Sequence, residues 1–147
     1  MTAHLAQLNV GVPVGPRDDP RMAGFYADID RINAVADEYP GFVWRLVDES
    51  GADATSLRPF GGDVMVNMSV WSGLEALREY TFRSGHLDVL RRRREWFVPL
   101  GEPHMVLWWV PSGHQPGLAE ARERLELLRD GGPTPKAFTF RDVFPAP

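Results

Sequence analysis

Apolar and polar positions alternate over 4–10 (HLAQLNV). Ala6, Leu8 and Val10 point to one side, while Leu5, Gln7 and Asn9 point to the other, which predicts a strand with one polar-tinged face. A Pro- and Gly-rich loop follows from Gly11 to Asp19. Asp19-Pro20 reads as a helix start, with Asp as N-cap and Pro in the first turn. Met22, Phe25, Ile29, Ile32, Ala36 and Tyr39 then recur at steps of three and four until Pro40-Gly41 ends the run. Residues 42–47 (FVWRLV) have the β-branched and aromatic content of a strand, and 48–62 read as loop. Over 63–71 the alternation returns, with Val64, Val66, Met68 and Val70 on one face and Met65, Asn67, Ser69 and Trp71 on the other. Ser72 and Glu75 predict a capping box for a helix to Arg83. Ser84-Gly85 breaks it, and a second helical piece covers 86–97. A strand at 104–110 (HMVLWWV) is closed by Pro111. Pro116-Gly117 opens a helix with the stripe Leu118, Ala121, Leu125 and Leu128, stopped by Gly131-Gly132-Pro133. Residues 137–144 (AFTFRDVF) alternate again and predict a last strand.

The order β-α-β-β-α-β, with an added C-terminal helix and strand, is the α+β, ferredoxin-like split arrangement, in one domain spanning 1–147. The first and third strands are then neighbours. Ala6, Leu8 and Val10 join Val64, Val66, Met68 and Val70 in a core expected under the two main helices. Gln7 and Asn9 come beside Asn67 and Ser69 on the opposite face. That face is too aromatic to be left in water, so the expected cover is a second copy of the chain, a homodimer with sheets face to face.

Composition narrows the functional classes. With 147 residues, 44% of them hydrophobic and 24% charged, the chain supports a single packed core. No apolar run approaches about 18 residues, so no membrane span is expected, and no signal peptide is visible at the N-terminus. The absence of Cys excludes a disulfide framework, thiolate catalysis and Cys-based zinc sites, and fits a cytoplasmic protein. A net charge of −4 argues against nucleic acid as a partner.

The strings Tyr80-Thr81-Phe82-Arg83-Ser84-Gly85-His86, Arg91-Arg92-Arg93-Arg94-Glu95-Trp96-Phe97, Leu107-Trp108-Trp109-Val110-Pro111 and Gly132-Pro133-Thr134-Pro135-Lys136-Ala137-Phe138 resemble an uncharacterised bacterial domain-of-unknown-function family. That family belongs to the dimeric α+β barrel superfamily, which includes the antibiotic biosynthesis monooxygenases, mostly cofactor-free, and several haem-binding enzymes. The resemblance therefore implies a dimeric α+β barrel and transfers no catalytic motif.

Four polar side chains, Gln7, Asn9, Asn67 and Ser69, on a face otherwise lined by Trp and Met have the composition of a small-molecule pocket, or of a wet dimer interface. His86 shares a helical arc with Leu90 and Phe97 and so faces inward. There it can act as general acid or base, as an axial haem ligand, or as a core histidine satisfied by backbone. Tyr80 is the second catalytic candidate, as a hydrogen-bond partner of substrate. His4, His104 and His114 are scattered, no H-x-x-E or H-E-x-x-H pattern occurs, and no metal site is expected. In the run Arg91–Arg94, Asp88 is spaced to pair with Arg92. Arg93 or Arg94 is placed to reach an anionic substrate group, and Arg94 stands among the substrate-binding candidates. Trp108 and Trp109 fall on opposite strand faces. Trp44, Trp71 and Trp96 read first as packing, and Trp44 and Trp109 are the tryptophan candidates for contact with a flat ligand. G-x-S-x-G and Gly-rich phosphate loops are absent. Three readings follow. The first is a cofactor-independent oxygenase, isomerase or cyclase acting on an aromatic or polyketide-like molecule. The others are a non-catalytic ligand-binding or accessory module, and a haem-binding enzyme.

Overall fold

The computed structural model describes residues 2–51, 53–84 and 86–147. Strands β1 (Ala3–Pro13), β2 (Phe42–Arg45), β3 (Met65–Trp71), β4 (Phe97–Val98) and β5 (Met105–Pro111) form one antiparallel sheet. Its long strands run in the order β2-β3-β1-β5, and β4 pairs with the far end of β1. The helices are α1 (Ala23–Glu38), α2 (Leu74–Arg83), α3 (His86–Arg91), α4 (Arg93–Trp96) and α5 (Leu118–Gly131). The α+β ferredoxin-like order expected from the sequence is the order found. Among the described residues no helix is long and apolar enough to cross a membrane.

Local chemistry explains most boundaries. Asp19 accepts a hydrogen bond from the Arg21 amide at 2.8 Å and opens a 3-10 turn, Pro20–Met22, that leads into α1. Helix α1 ends before Gly41, which adopts φ 91°. A Cβ there would stand 2.4 Å from the Ala76 Cβ on α2. Gly41→Ala is expected to lower stability by about 1–3 kcal/mol, since it combines a left-handed backbone with a clash against a helix. A urea midpoint equal to that of the parent would contradict this. The Ser72–Glu75 capping box does not form. Gly73 is the N-cap of α2, with no side-chain hydrogen bond, and the Ser72 amide donates instead to the Gly41 carbonyl at 2.7 Å. Helix α2 stops at Arg83 and α3 starts at His86, with Ser84 between them. Gly85, the other half of the expected break, lies outside the described residues. Asp88 does not pair with Arg92, which bonds Glu95 at 3.1 Å and approaches Asp28 at 4.0 Å.

The largest departure concerns the two faces of the sheet. Ala6, Leu8, Val10, Val66, Met68, Val70, Val106, Trp108 and Val110 pack against Ala121, Leu125 and Leu128 of α5, not under the two main helices. Leu5, Trp71 and Leu107, on the opposite face, pack against Ile32 and Ala36 of α1, Leu77 and Tyr80 of α2, and Phe138. The result is three layers, with α1–α4 on one side and α5 on the other. The amide-bearing face expected between two copies is thus covered by the chain's own helices, and the need for a partner to shield it disappears.

The predicted strand at 137–144 is reduced to one bridge to the sheet, between Leu107 and Phe138, with N–H···O distances of 2.8 and 2.9 Å, and a local bridge between Thr134 and Ala137. Beyond it, the Thr139 hydroxyl accepts from the Arg141 and Asp142 amides at 3.2 and 3.3 Å. That local turn diverts backbone donors from the sheet.

Candidate functional site

Antiparallel register sets the floor of the site. Gln7 lies opposite Ser69, and Asn9 opposite Asn67, on the face under α1–α4. Gln7 Nε2 donates to Asn67 Oδ1 at 2.7 Å and to Ser69 Oγ at 2.9 Å, and Trp71 Nε1 donates to the same Ser69 oxygen at 2.9 Å. An oxygen that already accepts two hydrogen bonds has its own O–H left to offer a ligand. Ser69→Ala would leave the buried Trp71 Nε1–H without a partner, and Gln7 Nε2 with Asn67 as its one acceptor. The expected cost is about 1–3 kcal/mol, read by urea unfolding, with no loss meaning that the three groups are not coupled.

Above this floor is a cavity of about 280 Å³. Phe25, Ile29, Ile32 and Asn33 line it from α1, Leu77, Tyr80 and Thr81 from α2, and His86, Val89 and Leu90 from α3. Arg93 and Trp96 of α4, Asp53–Thr55 and Phe140 also contribute. Mostly apolar walls with a few fixed polar groups are the usual makeup of a small-molecule site. The volume suits a ligand of one or two fused rings and is small for a porphyrin.

His86 is positioned by the helix break. The Ser84 hydroxyl donates to the Tyr80 carbonyl and accepts from the His86 amide at 3.1 Å. On the ring, Nδ1 meets the Thr81 carbonyl at 3.3 Å. A carbonyl only accepts, so Nδ1 carries the proton and Nε2 keeps the lone pair. Burial pushes the His86 pKa below its ordinary 6.5, and the Thr81 carbonyl opposes that only in part, so the ring is neutral at pH 7.

Tyr80 is buried. Its hydroxyl donates to the Ile32 carbonyl at 3.3 Å, and burial, followed by the Asp37 charge, pushes its pKa up. The Tyr80 ring stacks on Trp71 at 4.9 Å and lies 5.0 Å from the His86 ring. An unbroken aromatic wall therefore joins the Ser69 end of the floor to the histidine.

Of the candidates named from sequence, Gln7, Asn9, Asn67, Ser69, Tyr80 and His86 come together around this cavity, and Trp44, Arg94 and Trp109 do not. A register shift in β2 sets Phe42 opposite Trp71 but Trp44 opposite Val70. Trp44 is thereby turned to the α5 side, and Arg45 takes the place facing the cavity. Trp109 is on the site's face but lies beneath the C-terminal segment, donating to the Phe144 carbonyl at 2.8 Å. Arg94 is exposed, and its neighbour Arg93 turns inward. Asn33 was missed. It is 9% exposed, lines the cavity, and its side chain has no hydrogen-bond partner among the described residues. Its signal was present: an amide four residues after Ile29, inside the apolar stripe of α1.

Among solved structures, a protein of unknown function from Nitrosomonas europaea is similar to this chain with a TM-score of 0.52. The identity is 11%, over 79% of this chain and 97% of that chain, a likeness of fold alone. SnoaB, a cofactor-independent oxygenase from Streptomyces nogalater, matches at 18% identity over 78% of this chain and 97% of that chain. Its TM-score is 0.49. No curated protein matches the chain. The family model described as "Domain of unknown function (DUF3291)" matches residues 4–147, and the chain belongs to that family.

Proposed function

We propose that the chain is a small-molecule enzyme of the cofactor-independent kind, in which His86 removes a proton from a carbon acid held in the cavity. The observation that carries this reading is the contact of His86 Nδ1 with the Thr81 carbonyl. A ring fixed through Nδ1 and kept neutral by burial leaves Nε2 as a lone-pair base on a mostly apolar cavity. The substrate class is an aromatic or polyketide-like ketone. Its ring lies against Trp71 and Tyr80, and its carbonyl oxygen accepts hydrogen bonds from the Ser69 O–H and the Asn67 amide as enolate charge develops. From that enolate, addition of dioxygen gives an oxygenase, reprotonation at a second carbon an isomerase, and attack within the molecule a cyclase. All three share the proton-transfer step.

That step is measured without knowing the natural substrate. In D2O the protein is expected to speed hydrogen exchange at the acidic methylene of 2-tetralone, followed by NMR, and His86→Gln is expected to remove the acceleration. Oxygen uptake by the same mixture separates the oxygenase from the other two. Saturable binding of 2-tetralone with no exchange at any pH would make the chain a binding module instead.

A further inference from the structure

We propose that the cavity takes a small molecule bearing a carboxylate, held by the guanidinium of Arg93 at the end of the site formed by Asn9 and Gly11. The inference rests on the reading of the cavity as a ligand site and adds the charge class of its ligand. Other cations nearby have anionic partners. Arg92 pairs with Glu95, and Arg45, also lining the cavity, bonds Asp37 at 2.7 Å. Arg93 is half-buried, lines the cavity, and has no carboxylate partner among the described residues. Its Nη2 donates to the Val10 carbonyl at 2.9 Å and its Nη1 only distantly to Asn9 Oδ1, at 3.4 Å, leaving other N–H groups uncommitted. The cavity's acid, Asp53, is engaged elsewhere, accepting from the Thr55 amide at 2.8 Å and hydroxyl at 2.6 Å.

The position is built for this placement. A Cβ on Gly11 would stand 2.7 Å from Phe97 Cδ1 and 3.3 Å from Arg93 Nη2, so bare backbone at residue 11 is what admits the guanidinium to the strand. Phe97 supports it from beneath, 5.0 Å from ring centre to Cζ. Burial lowers the Arg93 pKa, and after burial the Arg93 charge is the next cause lowering that of His104. Both signs describe positive charge held without a counterion, an arrangement costly unless an anion completes it. One guanidinium beside one amide matches a planar monoanion, which it can grip through two parallel N–H groups. It does not match the multiple charges of a phosphate.

The test compares 2-naphthoate with 2-naphthamide, the same ring system with and without charge, by calorimetric titration of the full chain at low salt. The expected result is at least about tenfold tighter binding of the acid. Arg93→Met is expected to weaken naphthoate by about 10- to 100-fold and to leave naphthamide within about twofold, while Arg93→Lys recovers part of the preference. The parent comparison needs no variant, so a misfolded Arg93→Met protein does not blunt it. Equal affinity for acid and amide overturns the carboxylate assignment and leaves the cavity reading intact. Failure of both probes to bind at millimolar concentration overturns both.

Discussion

His86→Gln is expected to reduce the protein-dependent exchange of 2-tetralone about 10²- to 10⁴-fold, the range a positioned general base supplies. Glutamine is the informative replacement because it keeps a donor for the Thr81 carbonyl and most of the ring's volume while removing the basic lone pair. The pH profile identifies the base. The proton is accepted only by neutral imidazole, and burial holds its pKa below 6.5. The rate should therefore climb with pH in the acidic range and be flat by neutrality. A rate still climbing above about pH 8 would point to another group, since the Tyr80 hydroxyl, with its pKa pushed up, ionises only at much higher pH. Stability gives an independent check. Below pH 6.5 the unfolded chain takes up a proton at residue 86 more readily than the folded one, so stability falls as pH falls. His104, whose pKa is also lowered, chiefly by burial, adds to the same trend. His86→Gln should flatten this dependence without abolishing it. An unchanged pH dependence together with unchanged exchange would remove His86 from the mechanism.

Much of the site was legible because strand alternation is local. Gln7, Asn9, Asn67 and Ser69 share a face by parity alone, and antiparallel pairing sets them in register. What parity does not say is which layer covers which face. That depends on the paths of α1, α2 and α5 across the sheet, and both faces of β1 carry enough apolar side chains to sit under helices. Trp44 was misplaced for a related reason. One irregularity in β2 inverts the facing of every later residue in that strand, and nothing in FVWRLV marks it. The choice between Arg93 and Arg94 was open for a third reason. Helix α3 ends at Arg91 and α4 begins at Arg93, so a wheel drawn as one helix through 86–97 loses its phase there. His86 stayed legible because it opens its own helix.

Trp108→Ala is expected to cost about 3–5 kcal/mol, the range for truncating a large aromatic residue in a core. Trp108 is fully buried on the face that α5 covers, and its Nε1 donates to Glu120 Oε2 at 2.8 Å, tying the first turn of α5 to β5. Glu120 also meets His114 Nε2 at 2.7 Å through its other oxygen, so the indole anchors both the helix and the loop before it. Deleting the ring opens a void between β5 and Ala121, Leu125 and Leu128 and removes that anchor together. Two measurements read the result. The urea midpoint should drop while the m-value holds, and α5 amides should lose protection from hydrogen exchange beyond what the lower global stability explains. Trp109→Ala is the contrast. That residue is half-buried beneath the C-terminal segment, and its loss should leave α5 protected and cost less. The comparison is sharp because the two tryptophans are adjacent in sequence and opposite in facing. A cost below about 1 kcal/mol for Trp108→Ala, against the range for core aromatics, would mean that α5 does not cover this face. The sheet would then need another cover, and a second copy of the chain would again be the natural one.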